Sequence, residues 1–188
     1  LGAGSKSIKS SRSTINFLAK KVQSRPEKAQ ILFRMVSFFQ KKNILEIGTS
    51  LGLTTAYLSK ANKDGKVTTI EGDPNVFSLA QKNFKTLKLK NIEIINQPFD
   101  QIIPQLLKNK FDLIFFDGNH SKEATLRYFY WLVEHANEDS IFIFDDIYWS
   151  KEMKQAWEVI CTFDKVMLSL DIFSFGIVFF KKNREKEH

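Results

Sequence analysis

The sequence predicts a doubly wound α/β sheet of seven strands, mostly parallel, with an antiparallel hairpin at its C-terminal edge. Three observations carry this reading. Five short apolar runs alternate with segments of helical periodicity. Two of the runs, FDLIFFD at 111–117 and SIFIFD at 140–145, are apolar on both faces, as strands in the middle of a parallel sheet are. Four of the five runs end in glycine or acidic residues, the punctuation expected where ligands meet an open α/β sheet.

The elements follow in order. Ser24-Arg25-Pro26-Glu27 is a capping box with proline in the first turn. Ala29, Leu32, Phe33, Val36 and Phe39 continue it at helical spacing to about Gln40. A weaker helix, with Ile15, Leu18 and Val22 on one face, precedes it. The first strand is 43–47 (NILEI), followed by a helix over 53–61. The second strand is 66–71 (KVTTIE), followed by a helix over 75–87 with a lysine-rich outer face. The third strand is 92–96, with a short helix over 101–108. Strands at 111–117 and 140–145 are followed by helices over 122–136 and 152–160. Runs at 165–170 and 175–181 form the edge hairpin. Residues 1–40 thus form an N-terminal segment with cap helices, and residues 41–188 the sheet domain, with a charged tail from Lys182.

Composition narrows the classes. The 188 residues, 43% hydrophobic and 26% charged, suit one globular domain that needs no disulfide or structural metal to fold. The single cysteine, Cys161, excludes an internal disulfide and fits a reducing, cytoplasmic setting. No apolar stretch is long enough for a membrane-spanning helix, and residues 1–13 lack the apolar core of a signal peptide. The net charge of +7 permits an anionic partner such as nucleic acid, but the lysines are scattered as on a solvated surface. Oligomeric state stays open, a dimer included.

Ligands of such a sheet bind beyond the strands' carboxyl ends, where strand order reverses. The first strand ends Glu46-Ile47-Gly48-Thr49-Ser50-Leu51-Gly52 and the second at Glu71. The fourth ends Asp117-Gly118-Asn119-His120 and the fifth Asp145-Asp146. Several acids on one rim repel one another unless cations or hydroxyl groups meet them, which favours a site. The glycine spacing lacks the third glycine of a dinucleotide fingerprint. Glu71, about twenty residues on, can accept both hydroxyls of a ribose. Asp117, Asp145 and Asp146 are hard oxygen ligands, suited to Mg²⁺, Mn²⁺ or Ca²⁺. His120 can take a proton near neutral pH.

The segments ILEIGTSLGLTTAYLS, VTTIEGDP, FDLIFFDGNH and IFIFDDIYW resemble the class I S-adenosylmethionine-dependent methyltransferases, with a Rossmann-like methyltransferase fold. The likeness runs from about Pro26 to Lys181 and is to the catechol O-methyltransferase type, which also lacks the middle glycine; the whole chain, from GAGSK near its start to EKEH at its end, also resembles a group of bacterial methyltransferases. It implies that residues 41–188 are the S-adenosylmethionine-binding domain. By that resemblance Glu46, Gly48, Ser50 and Gly52 surround the methionine part of the cofactor and Glu71 holds the ribose. Phe99 and Asp100 fall near the adenine, differing in type from the usual small and amide residues. Asp117, Asp145 and Asp146 match the positions that bind a divalent cation, and His120 stands where the catechol type has a lysine base. Tyr148 and Trp149 could wall an aromatic acceptor or pack in the core. The implied reaction is O-methylation of a small hydroxylated molecule. Two alternatives stay open: a nucleic-acid methyltransferase, against which the absence of an N/D-P-P-[YF] motif counts, and a non-catalytic cofactor-binding protein.

Overall fold

The computed structural model describes residues 26–180. Six helices and seven strands alternate: α1 (Pro26–Phe38), β1 (Asn43–Ile47), α2 (Leu53–Ala61), β2 (Lys66–Glu71), α3 (Pro74–Thr86), β3 (Ile92–Asn96) and α4 (Phe99–Leu106). Then come β4 (Leu113–Phe116), α5 (Lys122–Val133), β5 (Ile141–Asp145), α6 (Lys151–Cys161), β6 (Leu168–Asp171) and β7 (Phe175–Phe179). The strands form one sheet in the order β3-β2-β1-β4-β5-β7-β6. The first five are parallel; β7 runs antiparallel to both β5 and β6. The predicted fold class is therefore observed. The weaker helix around Ile15 and the Ser24 cap lie outside the described residues.

Alternation along the strands divides the core in two. Ile44, Val67, Leu113, Phe115, Ile141 and Ile143 face a cluster completed by Leu32 and Val36 of α1 and Leu58 of α2. Leu45, Ile47, Ile70, Phe116, Phe142 and Phe144 face the other, covered by α4, α5 and α6. Much of the phenylalanine surplus lies there: Phe116 stacks on Phe144 at 4.3 Å, and Phe129 meets Phe142, Phe144 and Phe163 edge-on. The α1 helix, assigned by the sequence to a capping segment, shares the sheet's core: Ala29, Leu32 and Val36 are buried in it.

Several boundaries differ from the predicted ones, each through a local backbone hydrogen bond. The α4 helix starts at Phe99 rather than 101, since the Pro98 carbonyl accepts the first helical bonds from Gln101 and Ile102. The α5 helix stops at Val133 rather than 136, where His135 N donates back to the Leu132 carbonyl. The β6 strand starts at Leu168 rather than 165 because Val166 N closes a turn on the Phe163 carbonyl.

Candidate active site

The sheet's order reverses between β1 and β4, both of which leave the sheet into loops at the same end. A cleft of about 1080 Å³ opens there. Thr49, Ser50, Gly52 and Asn83 line one part of it; Asp117, His120, Asp145 and Asp146 line another, with Tyr148, Trp149, Phe173 and Lys28. Four of its loops hold a non-glycine residue in the left-handed region: Ser50 (φ 50°), Asn119 (φ 55°), Asp146 (φ 52°) and Phe173 (φ 65°). Such backbone strain gathers at functional loops.

The loop after β1 is shaped from beneath. Gly48 has φ 106°, and a Cβ there would stand 2.2 Å from the Asp117 carbonyl oxygen. Only glycine lets the β1 and β4 loops close on each other. Glu46 lies fully buried under this loop. Thr69 Oγ1 donates to its Oε2 at 2.6 Å, Thr55 Oγ1 donates to the same oxygen, and Thr49 Oγ1 in turn lies 2.6 Å from Thr69 Oγ1. Its Oε1 has no partner among the described residues. Burial raises the Glu46 carboxyl to about 7, against the pull of the two threonine hydrogen bonds. Glu71 accepts Ser50 N at 3.0 Å on Oε2 and Asp73 N at 2.9 Å on Oε1, which ties the first two loops together. Burial raises its carboxyl as well, opposed by these backbone donors. Each oxygen keeps lone-pair capacity for a further donor.

On the other side of the cleft Asp145 and Asp146 meet around a side chain that sequence reasoning missed. Lys28 Nζ, from the first turn of α1, donates to Asp145 Oδ1 at 2.6 Å and to Asp146 Oδ1 at 2.8 Å. Burial works against the ammonium, but these bonds outweigh it and hold Lys28 above the usual lysine range. Asp145 also accepts Asp146 N at 2.8 Å. Burial and the Asp146 charge raise the Asp145 carboxyl, with Lys28 opposing. Asp117 is raised further, by burial and then by the charges of Asp145, Glu46 and Asp146. His120 Nε2 stands 3.7 Å from Asp117 Oδ1, and its ring lies 6.2 Å from that of Trp149.

Exposed aromatic rings form another wall. Tyr148 stacks on Phe173 at 5.5 Å, and its hydroxyl hydrogen-bonds Asp171. Trp149 is 70% exposed, so it is a surface ring and not a core one. Phe99 and Asp100 do not line the cleft: Phe99 packs edge-on to Tyr128 and under Gly118, while Asp100 accepts Arg127 Nε at 2.8 Å. Glu46 and Gly48 lie buried behind the lining, while Glu71 is half-buried at the end of β2, beside Ser50 of the lining. The sequence carried one signal for Lys28, its position one helical turn before Leu32 on the buried side of α1. Phe173 had none, since its place depends on how the edge hairpin turns.

Residues 45–147, more than half of the chain, match a family described as a methyltransferase domain. A catechol O-methyltransferase of Niastella koreensis is 31% identical over 127 residues, covering 65% of this chain and 57% of the relative. A catechol O-methyltransferase of Mycobacterium tuberculosis is 27% identical over 123 residues, covering 64% of this chain and 55% of the relative. The chain thus spans little more than half the length of these relatives. The crystal structure of an O-methyltransferase from Bacillus cereus in complex with SAH superposes with a TM-score of 0.75 at 22% identity, over 89% of this chain and 88% of that one. The matched residues contain the glycine loop, Glu71 and all three acids of the cleft, and the chain belongs to the methyltransferase-domain family of class I S-adenosylmethionine-dependent methyltransferases.

Proposed function

We propose that this chain transfers the methyl group of S-adenosylmethionine to a hydroxyl oxygen of a small molecule. The observation that carries the reading is a single cleft with two chemically different parts, a glycine loop braced by Glu71 and an acidic, aromatic part around Asp117 and His120. The residues present fit the cofactor. Glu71 has acceptor capacity for ribose hydroxyls, and the loop sets small residues, Ser50 and Gly52, beside the apolar Leu51 and Leu53. Bound there, S-adenosylmethionine supplies an electrophilic methyl on a cationic sulfonium. Asp117, Asp145 and Asp146 outnumber Lys28, and their excess of negative charge favours that cation over its neutral product.

The chain's own residues do the rest. His120 Nε2 accepts the hydroxyl proton while the acceptor oxygen forms its bond to the methyl carbon. The carbon–sulfur bond breaks with its electron pair left on sulfur. Asp117, at 3.7 Å, steadies the imidazolium that results. Tyr148, Trp149 and Phe173 give flat apolar faces to an aromatic acceptor. A divalent cation does not fit the acids as they stand. Among the described residues no group of three or more His, Cys, Asp or Glu is placed to hold a metal ion, and the Lys28 ammonium lies between Asp145 and Asp146. The acidic cleft also repels a phosphate backbone, which disfavours a nucleic-acid acceptor despite the net charge of +7.

The test is release of S-adenosylhomocysteine with catechol, simple phenols and an RNA fragment as acceptors. Release is expected with hydroxylated aromatics and not with RNA. His120→Ala should lower kcat by roughly 10²–10⁴-fold with cofactor affinity retained. Cofactor binding without release on any acceptor would contradict the reading, and release on RNA alone would replace it.

A further inference from the structure

We infer that Lys28 is a built-in cation of the cleft: its ammonium takes the place between Asp145 and Asp146 that a divalent metal would otherwise take. The α1 helix fixes that place. Ala29, Leu32 and Val36 are buried to within 1% of full burial against the sheet, so the helix cannot shift without opening that core. Lys28 lies one turn before Leu32 and is directed to the same side. Its side chain is only 18% exposed. Its Nζ stands 5.5 Å from the centre of the Phe175 ring, which is itself fully buried. The charge is thus held by the packing of a whole element and not by a loose surface chain.

The two bonds formed there, 2.6 and 2.8 Å, are short charge-assisted hydrogen bonds. A metal ion binding Asp145 and Asp146 would stand within a few ångströms of the ammonium, where like charges in a partly dry site repel strongly. It would also have to displace both bonds. Lys28 therefore keeps this pair of acids satisfied and closed to a metal. An ammonium has three donors, and Asp145 and Asp146 take two. Among the described residues the third meets no further acceptor, and it can take one acceptor oxygen. If the hydroxyl methylation proposed above holds, a single hydroxyl meets this cation, and a vicinal diol that chelates is not required.

The experiment measures manganese binding, not turnover, so its failure is separate from failure of the methyltransferase reading. Mn²⁺ is titrated into the full chain and followed by electron paramagnetic resonance. The quantity read is the binding that disappears on Asp145→Asn. It is expected to be absent in the wild type and to appear in Lys28→Met, which keeps the side chain's apolar stem and removes its charge, with affinity at least tenfold above background. Lys28→Ala serves if Lys28→Met does not fold, as judged by circular dichroism and S-adenosylmethionine binding. Asp145-dependent binding in the wild type would overturn the inference, and the wild-type measurement needs no variant of Lys28. Its absence from a folded Lys28 variant would overturn it equally, since the ammonium would then not be what keeps the metal out.

Discussion

Glu71 and Glu46 are both carboxylates at the glycine-loop side of the cleft, yet their settings assign them different work. Glu71 orders two loops through Ser50 N and Asp73 N and keeps capacity for more donors. Glu71→Ala should weaken S-adenosylmethionine binding by about 1.5–3 kcal/mol, the range for losing charge-assisted hydrogen bonds, as read by calorimetry on a variant that still folds. Glu46 is buried beneath the loop, and its carboxyl is raised from 4.5 to about 7. A carboxyl whose folded pKa is raised favours the folded state while protonated. Its contribution is full below pH 4.5 and is lost as pH rises through 7. Glu46→Gln should flatten that part of the profile, on the order of 1–3 kcal/mol, in a comparison of melting temperature against pH with the wild type. Sequence spacing put both glutamates at strand ends, which is where they stand. It could not tell which was buried, because that depends on Thr55 and Thr69 closing over Glu46 from a neighbouring helix and strand.

Loops and helices decide whether those residues meet. The β1 loop and the β4 loop touch through Gly48, whose left-handed backbone and 2.2 Å clearance leave no room for a side chain. Gly48→Ala should cost roughly 1–3 kcal/mol from the backbone alone, with the clash added. Thermal unfolding should show the loss, and S-adenosylmethionine binding should fall with it because Ser50 moves. Native stability in the Gly48→Ala variant would mean that the two loops are not in contact. Strands were legible because their apolar runs are short and bounded by glycine and acids, and β4 and β5 read as central from apolar residues on both faces. The α1 helix was legible as an amphipathic stripe, but its role in the cleft was not. Lys28 and Asp145 are 117 residues apart, and only the docking of Leu32 and Val36 on the sheet brings them together. The hairpin was legible as two strands, whereas Phe173 (φ 65°) reaches the cleft through a turn whose conformation the residue types do not announce.

Across the whole molecule, one sheet serves two ends. The reversal of strand order makes the cleft, and the two cores split by strand alternation hold α1 on one face and α4, α5 and α6 on the other. Lys28 thus reaches the acids from the α1 face of the sheet. Positive charge dominates the chain as a whole, while negative charge dominates the cleft. Methyl transfer to a hydroxyl is tested most directly by a turnover with S-adenosylmethionine carrying a deuterated methyl group, a phenolic acceptor, and excess EDTA in one of two parallel samples. The deuterated methyl is expected on the acceptor's oxygen, with an equal amount of S-adenosylhomocysteine, at the same rate in both samples. Labelled product in neither sample would contradict methyl transfer to a hydroxyl, and labelled product only in the sample without EDTA would contradict a cleft whose cation is Lys28.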